Sequence, residues 1–261
     1  DPENGFYSTG SLRIGKDGDF CTSPSLGNDF ARLLAIQVVD WLFDLEKAEI
    51  EYELLSLVEM GPGEGTLSRD LIVAIAEIAP ALTSKIELVL VELNIGMRQR
   101  QEKVLSNLKG ISYRWSNIED LILSPVTGVV IANEVLDAFP VERLVFTEKK
   151  VFRQGVSLRK ENDQYFLEFV DLSPTSAIEK FMEDSNSLLN IEFPPKDICD
   201  RWVTEWHCDV PVWFGKLSKT LKNGSLLVVD YAIESKRYYN SIRDDGTIIS
   251  YRNQKANSNI L

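Results

Sequence analysis

A glycine-rich loop is the first feature of the sequence that could hold a ligand. It reads Glu-Met-Gly-Pro-Gly-Glu-Gly-Thr over residues 59–66. Glycines in such a loop allow a sharp turn and a close approach of the backbone to a ligand, because no Cβ atom stands in the way. An isolated match of this kind also occurs as a plain tight turn, so its surroundings decide its meaning. The loop residues expected to contact a ligand are Glu59, Gly61, Gly63, Gly65 and Thr66.

The spacing and the charge of this loop distinguish between two cofactor classes. Dinucleotide-binding loops read Gly-x-Gly-x-x-Gly, with the third glycine inside the following helix, whereas this loop reads Glu-x-Gly-x-Gly-x-Gly. The carboxylates of Glu59 and Glu64 would repel a pyrophosphate and attract a sulfonium that carries an ammonium group. The loop therefore predicts S-adenosylmethionine as the cofactor and disfavours NAD.

Residues after the next two strands could complete the cofactor site. Glu92 ends an apolar run, at the position where a carboxylate in this architecture accepts hydrogen bonds from both ribose hydroxyls. It follows Gly65 by 27 residues, which is longer than the roughly 20 residues of dinucleotide enzymes. Asn117 and Ile118 follow the third strand, where an adenine would lie, although an ordinary surface loop explains their spacing equally well.

Polar residues after the fourth strand could also contact a ligand. Asn133, Glu134 and Asp137 lie in the stretch Asn-Glu-Val-Leu-Asp-Ala-Phe-Pro. Ligands of open α/β sheets bind beyond the carboxyl ends of the strands, which is where these side chains are expected. The alternative is that Glu134 or Asp137 only caps the next turn.

Strands that alternate with helices must position these loops. Apolar runs predict strands over 53–59, 85–92, 111–115, 128–132 and 225–231. Helical spacing predicts helices from Leu26 to Leu42, from a cap at Thr66 to a stop at Pro80, from a cap at Asn94 to Leu108, and over 201–221. Such alternation implies parallel pairing with right-handed crossovers. The expected fold is therefore a Rossmann-like α/β sandwich of three layers.

The alternation breaks after the fourth strand. Extended patterns over 141–147, 151–159 and 165–170 predict a β-rich insertion on the substrate side of the sheet. We therefore predict three parts: residues 1–140 with the first half of the Rossmann-like domain, the insertion 141–195, and residues 196–261 with the remainder. Asp244-Asp245-Gly246 predicts a turn into a hairpin over 247–251.

The composition excludes several classes of function. The formal net charge of −12 argues against a nucleic-acid partner and favours a basic protein segment or a cationic small molecule, although acidity for solubility alone is more common. His207 is the only histidine, which excludes a Ser-His-Asp hydrolase and most zinc sites, so no metal is expected. No apolar run approaches the roughly 18 to 20 residues of a membrane span. No signal-like segment is recognised, and three widely spaced cysteines suggest a reducing compartment.

Several stretches together resemble the MidA family of class I methyltransferases, whose mitochondrial member is the arginine methyltransferase of complex I assembly. The matching stretches are 18–24, 58–67, 91–92, 98–101, 132–134, 137–138, 140, 229–231 and 245–247. The combination of Gly-Asp-Phe-x-Thr-Ser-Pro with Asn-Glu-x-x-Asp-Ala-x-Pro is far more specific than the glycine motif. Family members are usually longer, and Ala232 replaces a glycine that tends to follow their Asp-Tyr pair.

The resemblance implies methyl transfer to an arginine in a protein substrate, of the kind found in respiratory complex I. A guanidinium has a pKa far above neutral pH and is a poor nucleophile until the lone pair of one nitrogen is localised. Two carboxylates around it could hold the charge on the other nitrogens. Glu134 is the first candidate for this catalytic role, Asp137 the second, and Asp19 a weaker third. The location would be the cytoplasm of a bacterium or the mitochondrial matrix.

Two other functions stay open at this point. The first is a methyltransferase for a small molecule or for RNA, and the acidic composition speaks only against RNA. The second is a non-catalytic assembly factor that keeps the fold as a binding platform. A protein that had lost its catalytic activity would be expected to lose site residues as well. This alternative is disfavoured because the glycine loop is intact and because Glu92, Asn133 and Glu134 are present.

Overall fold

The computed structural model describes residues 14–15, 18–48, 52–148 and 150–261. Its helices are α1 Ser23–Leu26, α2 Asp29–Lys47, α3 Thr66–Ile78, α4 Ile95–Leu105, α5 Ile118–Leu123, α6 Ser176–Leu189, α7 Val210–Leu217 and α8 Ser235–Tyr238. Its strands are β1 Leu55–Met60, β2 Ile86–Val91, β3 Ser112–Ser116, β4 Val126–Asn133, β5 Glu142–Phe146, β6 Val151–Glu161, β7 Gln164–Leu172, β8 Trp202–Trp206, β9 Leu221–Val229, β10 Ser250–Arg252 and β11 Lys255–Asn257. Within these ranges no helix is both long enough and apolar enough to cross a bilayer.

The chain forms two compact units, and a parallel sheet is the centre of the first. Its described residues fall within Asp1–Ala138, Pro211–Asp230 and Tyr251–Lys255. The strand order is β3-β2-β1-β4-β9, and every pairing is parallel. All residues of β1 are buried, as expected for a parallel strand covered on both faces. The predicted Rossmann-like sheet is confirmed.

Two hydrophobic clusters cover the two faces of this sheet. One contains the buried residues of α2 and α3 together with Leu57 of β1. The other contains Leu121 of α5, Leu217 of α7 and Val58 of β1. Leu57 and Val58 enter different clusters because successive side chains of a strand point to opposite faces. The result is the predicted sandwich of helices, sheet and helices.

The helix ends follow local signals, with two differences from the predictions. Asn94 caps α4, since its side chain accepts a hydrogen bond from the Met97 N–H at 3.0 Å, but α4 ends at Leu105 and not at Leu108. The prediction that Thr66 caps α3 is wrong. Gly65 takes the cap position at a φ of 81°, and Thr66 is the first helical residue, because glycine adopts the left-handed region without a Cβ clash.

An antiparallel sheet is the centre of the second unit. This unit consists of Phe139–Val210, Tyr231–Ser250 and Ala256–Leu261, whereas the sequence pattern predicts an insertion over 141–195. Its strand order is β7-β6-β5-β8. It extends past residue 195 because β8 pairs along the whole of β5. It also contains α6, which the sequence analysis missed.

The helix predicted over 201–221 is wrong in its first part. Residues Trp202–Trp206 form β8, and α7 covers only Val210–Leu217. The first four residues of β8 are all buried, so the segment has no alternation of apolar and polar residues that would reveal a strand. A short run of this kind cannot be separated from a buried helix by periodicity alone.

The segment after the Asp-Asp-Gly turn is anchored within the second unit. The N–H of Thr247 donates a hydrogen bond to Glu205 at 2.9 Å, and Glu205 is buried in β8. The hairpin predicted over 247–251 is wrong in its position. It lies further along the chain, because β10 begins at Ser250 and pairs with β11, and its turn contains Asn253 and Gln254.

Candidate functional site

A cleft opens at the carboxyl ends of β1 and β4 in the first unit. Its volume, including the solvent at its open mouth, is about 740 Å³. The cleft is lined by Ile14, Phe20, Thr22, Pro24, Ser25, Glu59, Gly61, Pro62, Gly63, Glu64, Thr66, Leu67, Asn133, Glu134 and Asp137. The structure therefore brings together seven of the predicted site residues: Glu59, Gly61, Gly63, Thr66, Asn133, Glu134 and Asp137. Four others lie outside this lining: Gly65, Glu92, Asn117 and Ile118.

The glycine loop turns over the end of β1 and offers bare backbone to the cleft. Gly61, Gly63 and Gly65 have φ angles of 59°, 51° and 81°, a region that residues with a side chain rarely adopt. A Cβ atom on Gly63 would meet no atom within 4 Å. The space beside Gly63 is therefore open, and a ligand could approach the main chain there.

Glu59 borders the cleft from inside the protein. The residue is 5% exposed, and its carboxylate accepts a hydrogen bond from the Ser68 hydroxyl of α3. Burial raises the pKa of Glu59 to about 7, although the hydrogen bonds from Ser68 act in the opposite direction. A positive group in the cleft would favour the ionised form of this carboxyl.

Gln101, which the sequence analysis did not propose as a site residue, joins the glycine loop to Glu92. Its Nε2 donates to the carbonyl of Gly63 at 2.8 Å and to the Glu92 carboxylate at 3.3 Å. Its Oε1 accepts a hydrogen bond from the indole N–H of Trp115 at 2.7 Å. The sequence did contain a signal, since Gln101 lies on the buried face of α4, four residues after Met97. A buried amide on an otherwise apolar helix face requires hydrogen-bond partners.

Glu92 lies directly after β2 with its side chain held in one place. One carboxylate oxygen accepts a hydrogen bond from the Asn94 N–H at 2.8 Å, and the other accepts the bond from Gln101. Each oxygen of a carboxylate has room for a second donor. Glu92 could therefore still receive two ribose hydroxyls.

Asn117 and Ile118 begin α5. The Asn117 side chain accepts a hydrogen bond from the Asp120 N–H at 2.8 Å and donates one to the Asp120 carboxylate at 2.7 Å. Ile118 packs against the cluster that contains α5 and α7. Capping and packing thus account for the observed contacts of both residues, and their cofactor-binding role stays a prediction.

Asn133 and Glu134 lie where β4 ends. The Asn133 Oδ1 atom is buried and has no hydrogen-bond partner among the described residues, a costly state that a donor from a ligand would relieve. Glu134 has a left-handed φ of 51°, and its N–H donates to the Val229 carbonyl at 2.8 Å. The Glu134 carboxylate accepts a hydrogen bond from the Ser23 N–H at 3.4 Å.

Asp230 holds the backbone that follows Glu134. Its Oδ2 atom accepts hydrogen bonds from the N–H groups of Val135 at 3.0 Å and Leu136 at 2.7 Å. A left-handed residue other than glycine costs on the order of 1 kcal/mol or more, and persists only where the surroundings fix it. Asp230 supplies such a constraint. Asp230 lies in the stretch 229–231 that resembles the family, but the sequence alone predicted no role for it.

Carboxylates crowd this end of the cleft. Burial raises the pKa of Glu134, the Ser23 N–H lowers it, and the charges of Asp137 and Asp230 raise it further. Burial also raises the pKa of Asp137, and the charge of Asp230 adds to the effect. A cation in the cleft would reduce this repulsion, so the arrangement suits a positively charged substrate. The described residues contain no His, Cys, Asp and Glu group that could hold a metal ion.

Comparison with known proteins decides the family. Residues 33–261 match the model of a family described as "Putative S-adenosyl-L-methionine-dependent methyltransferase". The chain belongs to this methyltransferase family. The resemblance to MidA-type methyltransferases is thereby confirmed.

The chain is also similar to individual members of this methyltransferase family. "Protein arginine methyltransferase NDUFAF7, mitochondrial" of Danio rerio is 25% identical over an alignment of 252 positions, and the match covers 88% of this chain and 55% of the relative. The Caenorhabditis elegans homologue is 26% identical and covers 96% of this chain and 58% of its own. A solved structure from Burkholderia thailandensis, described as a "likely methyl transferase" bound to S-adenosyl-homocysteine, is 27% identical with a TM-score of 0.76, and the match covers 98% of this chain and 61% of that one. The chain thus spans somewhat more than half the length of these relatives.

The cleft of this methyltransferase-family chain fits S-adenosylmethionine, the cofactor of the family. The open space at Gly63 gives room for a ligand beside bare backbone. The buried Asn133 Oδ1, which has no hydrogen-bond partner among the described residues, could accept a hydrogen bond from an amino group of the cofactor. The carboxylate of Glu59 would attract its sulfonium and ammonium charges.

Proposed function

We propose that the chain transfers a methyl group from S-adenosylmethionine to an arginine side chain of a protein. The observation that carries this proposal is the pair of carboxylates, Glu134 and Asp137, that line the cleft together with the glycine loop. A guanidinium is a planar cation with several donors, and it binds carboxylates more selectively than a point charge such as an ammonium does.

The cofactor would lie along the carboxyl ends of β1, β2 and β4. The main chain around Gly61 and Gly63 would hold its amino-acid part, Glu92 its ribose, and Asn133 a donor group near the end of β4. Asn117 and Ile118 are the proposed neighbours of its adenine. When bound, S-adenosylmethionine supplies a methyl group made electrophilic by the sulfonium.

The protein itself binds and orients the nucleophile. Because the pKa of a guanidinium lies far above neutral pH, the arginine enters the cleft as a cation. Glu134 and Asp137 would accept charge-assisted hydrogen bonds from its N–H groups. These bonds hold the positive charge on two nitrogens and direct the third towards the cofactor, and such positioning supplies much of the acceleration. The raised pKa of Glu134 also makes this carboxylate a better acceptor for the proton that the guanidinium must lose once it is methylated.

The names of the relatives support the substrate class. The zebrafish and nematode relatives are both named protein arginine methyltransferases and mitochondrial. We therefore propose a protein substrate of the respiratory complex I type. The proposed location is the mitochondrial matrix, or the cytoplasm if the source is bacterial. The acidic composition of the chain, with a net charge of −12, is consistent with a basic target segment.

The proposal can be tested with Glu134→Gln. The full chain would be incubated with methyl-labelled cofactor and an extract that contains the candidate substrates, and the labelled products would be identified by mass spectrometry. We expect wild type to label arginine in a protein, and Glu134→Gln to lose at least about a hundredfold in rate, the scale of a lost charged transition-state contact. Cofactor affinity, measured by calorimetry, should stay within about threefold, because Glu134 is assigned to the substrate.

Glu102→Gln is the control. Glu102 is an exposed carboxylate of α4 that does not line the cleft, so its change should leave transfer largely unchanged. Label in a small molecule would refute the protein substrate. Binding of the cofactor without any transfer would favour the assembly-factor alternative, and a near-normal rate in Glu134→Gln would refute the role of Glu134.

A further inference from the structure

Residues 18–25, which we name the cleft strap, form one wall of the cofactor cleft. The cleft-lining residues of the strap are Phe20, Thr22, Pro24 and Ser25. The strap also supplies the Ser23 N–H that donates to the Glu134 carboxylate. The position of the strap therefore sets both the shape of the cleft and the environment of the first candidate catalytic carboxylate.

The tip of the hairpin between β10 and β11 grips the beginning of the strap. The N–H of Asn253 donates to the Asp19 carboxylate at 3.0 Å, and the N–H of Gln254 donates to the Asp19 carbonyl at 2.9 Å. The side-chain amide of Gln254 donates to the carbonyls of Gly15 and Gly18, both at 2.9 Å. These segments are more than two hundred residues apart in the chain, yet both belong to the first unit.

This grip also changes the interpretation of Asp19. Asp19 is the third candidate from the sequence for a carboxylate that holds the substrate guanidinium, but it does not line the cleft. Its side chain and its carbonyl both accept hydrogen bonds from the hairpin tip. Asp19 therefore contributes to the site by holding the strap.

Gln254 is an unusual residue for the turn in which it lies. Asn253 and Gln254 have φ angles of 50° and 63°. Two-residue hairpin turns with positive φ at both positions strongly prefer Asn-Gly or Gly-Gly. Asparagine tolerates the left-handed region, whereas glutamine is strained there. Positions that break such a local rule are expected where the side chain has another task, and here that task is the pair of bonds to the strap.

We propose that Gln254 is a positioning residue for the cofactor cleft, which acts through the strap to retain the bound adenosyl ligand and to keep the Ser23 N–H on Glu134. The two carbonyls of Gly15 and Gly18 lose a shared donor when this amide is removed. Of the hydrogen bonds described here between the hairpin tip and the strap, the two from main-chain N–H groups to Asp19 then remain. The inference rests on cofactor binding in the cleft, which is part of the proposed function, and not on the identity of the methyl acceptor.

Two substitutions of Gln254 in the full chain separate its side-chain bonds from the stability of the turn. Gln254→Gly removes both side-chain donors and relieves the strain, while Gln254→Glu keeps the length of the side chain but cannot donate. In both variants we expect S-adenosyl-homocysteine to dissociate about tenfold faster, the effect of one to two neutral hydrogen bonds, as measured by surface plasmon resonance. Amide hydrogen exchange in residues 18–25 should accelerate as well. The thermal midpoint of Gln254→Gly should not fall, because glycine suits the turn.

Asn253→Gly is the matched control, since only the main chain of Asn253 contacts the strap. It relieves a similar strain and keeps all the donors, so ligand dissociation and exchange should stay within about twofold of wild type. Equal behaviour of the two glycine variants would overturn the proposal. Unchanged amide exchange of residues 18–25 in Gln254→Glu would overturn it too, whether or not the wild type binds an adenosyl ligand. A wild type that bound no adenosyl ligand would by itself refute only the cofactor assignment.

Discussion

The buried carboxyl of Glu59 predicts an unusual dependence of stability on pH. Its pKa is about 7 in the folded protein, compared with an ordinary value of 4.5. Because the folded pKa is the higher one, the folded state binds more protons than the unfolded state between these two values. Stability must therefore fall as the pH rises from 4.5 to about 7, and the contribution becomes constant above that range.

The magnitude follows from the same two values. A difference of one pKa unit corresponds to about 1.4 kcal/mol, so the full contribution of Glu59 amounts to about 3 kcal/mol. Between about pH 5 and about pH 8 the expected loss is about 2 to 3 kcal/mol. No discount for solvent is needed, because the residue is 5% exposed. Such a loss is a large part of the roughly 5 to 15 kcal/mol by which a protein of this kind is stable.

Urea unfolding of the ligand-free protein at several pH values measures this effect. We expect the free energy of unfolding of wild type to fall between about pH 5 and about pH 8. In Glu59→Gln this fall should be smaller by about 2 to 3 kcal/mol. The slope with pH is the proper readout, since the new amide must find its own partners in a buried site. Glu64→Gln, which changes a neighbouring carboxylate that is paired with Arg100, should keep the wild-type slope. Parallel curves for wild type and Glu59→Gln would refute the reasoning.

Two further predictions concern the loop and the end of β4. Gly63→Val should abolish cofactor binding in calorimetry while the far-ultraviolet spectrum stays native, because the side chain would fill the open space beside a residue whose φ is 51°; normal binding would contradict the assignment of the loop. Asp230→Asn keeps an oxygen for the N–H groups of Val135 and Leu136 but removes a charge that raises the pKa of Glu134. The acidic limb of the pH–rate profile should therefore move to lower pH, and an unmoved limb would show that Glu134 does not control it.

The parallel sheet and its loop could be predicted because the relevant signals are local. The strand before the glycine loop is a continuous apolar run, and the loop itself carries its glycines at a recognisable spacing. Helix α6 was missed although Thr175 caps it by accepting a hydrogen bond from the Ile178 N–H at 3.3 Å. Its exposed face contains strong helix formers, such as Ala177, Glu179 and Lys180, so a local signal was present. The segment follows a run of strands, and the prediction of a β-rich insertion over 141–195 left this signal out.

The residues that hold the site together could not be predicted, because their roles depend on distant partners. Gln101 contacts Gly63 across 38 positions of the chain, and Asp230 contacts Val135 across 95. Nothing in the local sequence states which carbonyl or N–H will lie beside an amide or a carboxylate after folding. The sequence does reveal that such groups need partners, and this is the extent of the information available before the fold is known.

The crowding of carboxylates predicts that the cleft binds S-adenosylmethionine more tightly than the spent cofactor. Burial raises the pKa of Glu59, Glu134 and Asp137 in the ligand-free protein. Ionisation of these carboxyls is therefore disfavoured there, and a nearby cation makes it more favourable. In the proposed reaction the cleft receives two cations, a sulfonium and a guanidinium. The donor becomes a neutral thioether once its methyl group has left, while the methylated arginine can regain its charge. The same acidic field that attracts S-adenosylmethionine therefore attracts the spent cofactor less strongly. The difference in affinity between S-adenosylmethionine and the spent cofactor should shrink in Glu59→Gln. That variant removes the buried carboxyl at the start of the glycine loop and leaves the neutral contacts in place.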